Sequence, residues 1–317
     1  IYEKLEAFAN FGFPESHAAS FALLTYASCY LKRHHPAEFA CSLINSQPMG
    51  FYAVHTIIDD AKRHGVQFLP LDPNTSTWNC EMQSGSVRLG LRVVRGLTEK
   101  DALQTIDHRP YISLHDFLSR NSLRADVLYN LAMGNAFDIF GKDQRHSLWE
   151  VLAYHVKNSS QQLDLFSQPA LLMSENTRTF NSLSDYETVK ADYDSLGLSL
   201  HSHPMRALRQ SMRLPKMTSF EAKRKPPGSF IKTSGLLLVR QRPPTAHGVC
   251  FAAIEDEHGF LDLVLFAKTY EKFKETFLHN CFLIVNGRIE REGHSISLIV
   301  QSLSPIWKDR KENLTIE

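Results

Sequence analysis

The sequence has no apolar run near the roughly 20 residues that a membrane-spanning helix needs, so no helical membrane anchor is expected within it. A signal-peptide pattern is also lacking. The chain opens on Ile1 rather than Met, and "IYEKLEAFANFGF" starts inside a helical pattern, so a piece of a longer polypeptide is expected. Cysteine is sparse: Cys29, Cys41, Cys80, Cys250 and Cys281 are odd in number and contain no C-x-x-C. That spacing argues against a disulfide framework or a zinc ribbon and predicts free thiols in a reducing cytoplasm. There is no G-x-x-x-x-G-K-[ST], no G-x-G-x-x-G, no G-x-S-x-G and no evident pair of catalytic carboxylates. The histidine pairs in "HSHP" (His201, His203) and "RHHP" have no further Cys or Asp at ligand spacing, so no metal site is expected. What survives these exclusions is a set of binding modules without chemistry of their own.

Charge is present but unevenly spread. The net charge is only +1 over 317 residues. Between His201 and Thr245, however, ten basic residues (Arg206, Arg209, Arg213, Lys216, Lys223, Arg224, Lys225, Lys232, Arg240 and Arg242) face one acid, Glu221. Such an excess either attracts phosphate or forms a solvated basic linker. The length predicts two or three domains, and the texture of the chain divides it at 1–80, 81–157, 158–229 and 230–317.

Residues 1–68 carry helical patterning, interrupted at His35-Pro36, because a residue before proline is driven out of the α region. "HTIIDDAKRHG" adds a helix with Gly65 as its stop. "VQFLPLDPNTSTWNCEM" changes to a short strand and turns. Two stretches, "LRVVRGLTEKDALQTI" and "RADVLYNLAMGNAFDIFGKDQRHSLWEVL", each read as helix, glycine turn, helix. In the first, Gly96 turns the chain, Thr98 can N-cap and Asp101 occupies the capping-box position. In the second, Gly134-Asn135 is the turn. Residues 158–180 carry little structure signal, and "LGLSLHSHPMRALRQSM" resumes with one or two short helices. From Phe230 the period becomes two. Five β-rich runs follow, with a helix, "AKTYEKFKETFLHN", between the third and fourth. That order is the order of an OB-fold barrel. The fold class is therefore multidomain α+β: helical modules, then a C-terminal five-stranded barrel.

Helix–hairpin–helix pairs hold duplex backbone because a glycine hairpin exposes N–H groups at a helix N-terminus. Arg95, Gly96 and Lys100 at the first turn, and Gly134, Lys142 and Arg145 at the second, are the duplex-binding candidates. Each hairpin has one clear glycine where a strong motif has two, so ordinary αα-hairpins are the competing reading. An OB barrel offers aromatic platforms to bases and cations to phosphates. Arg240, Arg242, Phe251, Phe260, Phe266 and Arg288 are the candidates there, with strand alternation assigning about half of the aromatics to the core.

"FGFPESHAASFALLTYASCYLKRHHPAEFACSLINSQPMGFY" closely resembles the end of the fingers domain of bacterial C-family DNA polymerases, the DNA polymerase III alpha class. Within that class, "FPESHAASFALL", "HHPAEF" and "LINSQPMGFY" resemble the error-prone, damage-inducible branch. "LGLSLHSHPM" and "GLLLVRQRPPTAHGVCFAAIEDEHGFLDLVLF" resemble the segment before its OB domain and that domain itself. The resemblance implies the C-terminal portion of a polymerase used in damage-induced mutagenesis and translesion synthesis: the end of the fingers, a tandem helix–hairpin–helix region, a linker and an OB domain. It implies that Ser16 and His17 lie near incoming nucleotide and template. The family's palm carboxylates, which use Mg²⁺, would lie upstream of Ile1, so this chain should bind no cofactor and be inactive alone. Primer-template DNA, a sliding clamp and accessory mutagenesis proteins are the implied partners, in the cytoplasm and away from membrane. The replicative alpha subunit itself and a non-enzymatic DNA-binding scaffold remain alternatives.

In that context "QLDLF" becomes legible within the polar run 158–169. Gln162, Leu163, Asp164, Leu165 and Phe166 resemble the pentapeptide by which bacterial polymerases dock on the sliding clamp. An extended peptide can seat Leu165 and Phe166 in an apolar pocket, unless it packs back on its own domain. Changing Leu165 and Phe166 together to Ala is expected to abolish clamp binding and leave DNA affinity intact. Unchanged clamp affinity in that double variant, read by surface plasmon resonance, would remove the assignment.

Overall fold

A computed structural model describes residues 15–50, 53–159 and 180–307. The "QLDLF" pentapeptide lies outside them. The helical part opens with α1 (Glu15–His34) and α2 (Pro36–Asn45), separated at His35, whose ψ of 54° leaves the helical region before Pro36 restarts it. α3 (Val54–Arg63) buries Ile58 and Ala61, and Gly65 ends the segment with a φ of +86°. A small sheet follows, larger than the single strand expected: β1 (Phe68–Leu69), β2 (Glu81–Gln83) and β3 (Ser86–Arg88), in the order β1-β3-β2.

This sheet is locked to α2. The Asn45 side chain accepts a hydrogen bond from the Cys80 N–H and donates one to the Cys80 carbonyl, both at 2.8 Å. Ile44 and Ile58 then share one core with Val87, Leu89, Leu114, Phe117 and Phe137. The division placed at residue 80 runs through that core, because α2 and α3 complete the apolar surface that the following helices leave open.

The two expected helix–turn–helix stretches differ from expectation in their arms. Before Gly96 stands only a 3₁₀ turn, Leu91–Val93; after it runs α4 (Glu99–Asp107), capped by Thr98, whose hydroxyl accepts the Asp101 N–H at 3.2 Å. α5 (Leu114–Arg120) and α6 (Ala125–Met133) follow. Beyond Gly134 the apolar restart at Ala136 and Phe137 makes a second 3₁₀ turn, Asp138–Phe140, before α7 (Gln144–Ser159) begins. Both 3₁₀ turns stand where longer helices were expected.

α8 (Asp185–Leu196), α9 (Pro204–Ser211) and α10 (Ser219–Lys223) form a wedge between the helices and the barrel. Reciprocal capping boxes, Ser184–Glu187 and Thr218–Glu221, start α8 and α10. Val189, Tyr193, Met205 and Leu208 pack with Leu236, Phe282 and Trp307, so the wedge has its own apolar seam against the barrel. The barrel consists of β4 (Phe230–Gln241), β5 (Cys250–Asp256), β6 (Gly259–Leu265), α11 (Ala267–His279), β7 (Phe282–Glu292) and β8 (Ser295–Pro305). It closes in the order β4-β5-β6-β8-β7, with β6 and β8 parallel, around Ile254, Leu263, Phe277, Leu283 and Leu298. The α+β architecture and the strand-three to strand-four helix agree with the sequence.

Asp192 pins the wedge to the helical core. It accepts hydrogen bonds from Ser199 Oγ at 2.6 Å and Gln144 Nε2 at 3.2 Å. Burial pushes its carboxyl up to about 6 from 3.8, against those two hydrogen bonds, which pull it down. Between these values the folded chain holds a proton that the unfolded chain has released, so this group's contribution to stability declines as pH rises through that window. From pH 5 to pH 7 the wild type should lose about 1 kcal/mol more than Asp192→Asn, by urea denaturation at both pH values.

Candidate nucleic-acid interface

Strand register links five outward side chains, one from each strand, into a row that runs around the closed barrel. Phe251 on β5 pairs with Val264 on β6, which pairs with Ile299 on β8. Ile299 pairs with Arg288 on β7, and Arg288 with Phe230 on β4. Because every strand contributes one member, the side chains of the row face outward in different directions. Its two ends are aromatic and exposed, Phe230 by 70% and Phe251 by 43%, with the Arg288 cation beside Phe230.

The flanks of the row differ in charge. On one side Asp262, Ser297 and Glu290 stand in register, with both acids exposed. On the other, Lys232 pairs with Asn286, whose amide donates to Ser302 Oγ at 3.1 Å, and exposed Phe266 follows the end of β6. A polyanion beside the barrel is repelled where Asp262 and Glu290 stand and attracted where Lys232 and Arg288 stand. Phe251, Phe266 and Arg288 of the sequence candidates thus all point outward, from β5, the end of β6 and β7 respectively. Phe230 and Ile299 were missed, and Lys232 was read only as part of the basic stretch; alternation within "FIKTSG" was the signal that could have found Phe230 and set Lys232 beside it.

Other candidates are committed elsewhere. Arg240 donates from Nε to the Phe277 carbonyl at 3.1 Å and from a terminal nitrogen to the Asn280 carbonyl at 3.3 Å, tying β4 to the end of α11. Arg242 pairs with Glu271 at 3.1 Å and lies over the Tyr270 ring. Phe260 lies under the Arg63 guanidinium, 5.1 Å from its ring centre. Within the basic stretch, Arg209 is engaged by Glu257 at 2.5 Å and by Asp256 at 3.4 Å, fixing α9 to the β5–β6 hairpin. Its charge serves the fold.

The two hairpins also separate. Gly96 is exposed at a φ of +78°, a value that favours glycine, and Arg95 and Lys100 are exposed around it. Arg124, which the sequence did not single out, donates to the Gly96 carbonyl at 3.1 Å while its side chain stays 63% exposed. Glu99 and Asp101 stand in the same first turn of α4 and offset part of that positive charge. Gly134, in contrast, is buried, and a Cβ there would lie 2.7 Å from Leu196 Cδ2. Its glycine serves close packing against α8, so the expectation that it presents backbone to phosphate is corrected. Lys142 pairs with Glu150 at 2.6 Å; Arg145 donates to the Asn181 carbonyl at 2.8 Å and approaches Glu187 at 3.4 Å. His17 is exposed in the first turn of α1, its ring edge-on to Phe21. The Ser16 side chain lies outside the described residues.

A second grouping escaped the sequence entirely. His55 and Asp59 on α3 meet Glu255 of β5, all three buried, at the seam between helices and barrel. Burial pulls the His55 ring down to about 4, so it is neutral, and raises the Asp59 carboxyl. This enclosed cluster contains an imidazole and does not fit the all-oxygen, nucleotide-facing environment of a polymerase Mg²⁺ pair. Among the described residues, no helix is long and apolar enough to cross a membrane.

Fold and interface together define a nucleic-acid-binding tandem: a helix–hairpin–helix region followed by an OB barrel. Residues 65–147 match the family described as helix-hairpin-helix motif, and residues 238–306 match the OB-fold nucleic acid binding domain. The chain is 38% identical to the error-prone DNA polymerase of Anaeromyxobacter dehalogenans over 96% of its own length and 28% of that protein's. It is 37% identical to that of Bdellovibrio bacteriovorus, covering 96% of this chain and 31% of the relative. For Dechloromonas aromatica the values are 38%, 99% and 31%. The chain therefore belongs with the error-prone DNA polymerases and corresponds to the C-terminal region of those longer proteins, spanning under a third of their length.

The committed and the outward arginines make opposite predictions. Arg240→Ala should lower the thermal midpoint of the chain while changing single-strand affinity less than about twofold. Arg288→Ala should leave the midpoint in place and weaken single-strand binding about tenfold, as one lost charge-assisted contact implies. Thermal melts and fluorescence anisotropy on both variants read the contrast.

Proposed function

We propose that this chain is the DNA-holding part of an error-prone DNA polymerase used in damage-induced translesion synthesis. The observation that carries the reading is the exposed Phe230 paired in register with the outward Arg288, with exposed Lys232 two residues along β4. Bases stack on aromatic faces regardless of sequence, and Arg288 and Lys232 supply the phosphate contacts, so this part of the barrel suits single-stranded template. The exposed Gly96 turn, with Arg95, Lys100 and Arg124 around it, suits the backbone of the adjacent duplex. Template would therefore pass from the helical module to the barrel.

Phosphoryl transfer in the whole polymerase would belong to the palm segment, whose carboxylates would hold Mg²⁺ to supply Lewis-acid stabilisation of the reacting oxygens. Ser16 and His17 would stand at the fingers side of that reaction. Gln162 to Phe166 would tether the protein to the sliding clamp, supplying processivity without any further grip on DNA. Accessory mutagenesis proteins and a cytoplasmic setting belong to the same reading.

Anisotropy with labelled single-stranded and primed DNA between 50 and 200 mM salt tests it. Affinity should fall with salt along a straight line in logarithmic coordinates. Phe230→Ala and Phe251→Ala should each lose roughly 5- to 150-fold for single strands, from about 1–3 kcal/mol of stacking per base, and the double variant more. Affinity that ignores salt, or a double variant that binds like wild type, would sink the assignment of this face.

A further inference from the structure

His55 and Asp59 are four residues apart on α3 and so present their side chains on one face of the helix. Glu255 enters the same space from β5, and one ligand atom from each of the three lies within 4.8 Å of the others. Side-chain rotations of under an ångström or so would bring the three onto one centre with metal–ligand bonds of about 2.0–2.2 Å.

The hydrogen bonding around this space is incomplete. Glu255 is fully buried; Oε1 accepts from Arg63 at 2.9 Å, while Oε2 has no hydrogen-bond partner. His55 is 4% exposed, and its Nδ1 is also buried without a partner. Unsatisfied buried polar atoms are rare in folded proteins, and these two point into one space. His203 adds a constraint: its Nδ1 accepts the Met205 N–H, so the neutral ring carries its proton on Nε2, 4.0 Å from Glu255 Oε2. At that distance it makes no hydrogen bond, so His203 Nε2 is a third buried polar atom without a partner at this space. Arg63 alone holds Glu255, through Oε1. The neighbouring Lys62 ammonium is engaged by the Ser199 and Leu200 carbonyls at 3.1 and 3.0 Å.

We propose that His55, Asp59 and Glu255 form a structural Zn²⁺ site that joins the helical module to the OB barrel. One imidazole and two carboxylates make an N/O donor set suited to a borderline divalent transition metal and less to Mg²⁺ or Ca²⁺. The two carboxylates face two cations, Arg63 and Lys62, of which Lys62 is turned to the Ser199 and Leu200 carbonyls. Zinc gives His55 and Glu255 Oε2 the partners they lack, and it ties α3 to β5 by bonds that span the seam. A water molecule in a fourth position would complete a tetrahedron.

The test uses the full chain, stripped with EDTA, exposed to ZnCl₂ and dialysed. About one zinc per chain should be retained by elemental analysis, and the thermal midpoint should rise relative to the stripped protein. Asp59→Asn and Glu255→Gln should each weaken zinc binding at least about tenfold, while His201→Gln, at the exposed histidine of "HSHP", should leave it unchanged. No retained zinc in the wild type would mean that water fills the space, and the proposal would be overturned. Zinc retained equally by Asp59→Asn and Glu255→Gln would overturn it as well. If those variants fail to fold, X-ray absorption of the zinc-loaded wild type decides: one imidazole with oxygen ligands upholds the site, and a shell without imidazole or with sulfur ends it.

Discussion

The buried pairing of Arg63 with Glu255 sets where the two halves of this chain stand. Glu255 has no exposed surface, and a carboxylate so enclosed is tolerated only with a cation or several donors beside it. Arg63 ends α3, whose Ile58 lies at the centre of the helical core, and its guanidinium also covers the Phe260 ring on β6. One side chain thus reads two strands of the barrel from the end of one helix. The wedge reinforces the arrangement through Lys62 to the Ser199 and Leu200 carbonyls and through Arg209 to the β5–β6 hairpin. Buried pairs of this kind add little net stability, but they penalise every other docking angle, because a shifted barrel would leave a bare charge inside.

Much of the fold was legible because its signals are local. The break at His35-Pro36, the Thr98 cap and the Gly65 stop follow from backbone chemistry within a few residues. The five period-two runs gave the barrel strands with only small shifts at their ends. Its closure was less accessible, since the parallel pairing of β6 with β8 joins strands separated by a helix and another strand. The β1-β3-β2 sheet escaped because strands of two or three residues are too short to show a period.

The interface was legible in kind and not in detail. Sequence names which residues can bind phosphate, but it cannot show which are already spent. Arg240 and Arg242 look like free cations until α11 folds against them, and Lys142 and Arg145 until Glu150, Asn181 and Glu187 arrive. Gly134 reads as a turn glycine, whereas Leu196, from α8, decides its role. The seam cluster was beyond reach for the same reason: Arg63 and Glu255 are 192 positions apart. Only the four-residue spacing of His55 and Asp59 was visible beforehand, and alone it signifies nothing more than a shared helix face.

The seam contacts give the barrel one preferred docking angle on the helices. The direction in which Phe230, Arg288 and Lys232 face relative to the Gly96 turn is then set before any nucleic acid arrives. A strand engaging both modules would take its curvature from the protein, and the free energy of bending would fall on the nucleic acid. Stiff, stacked segments would then be disfavoured at the crossing between modules, and unstacked or kinked ones would enter more easily.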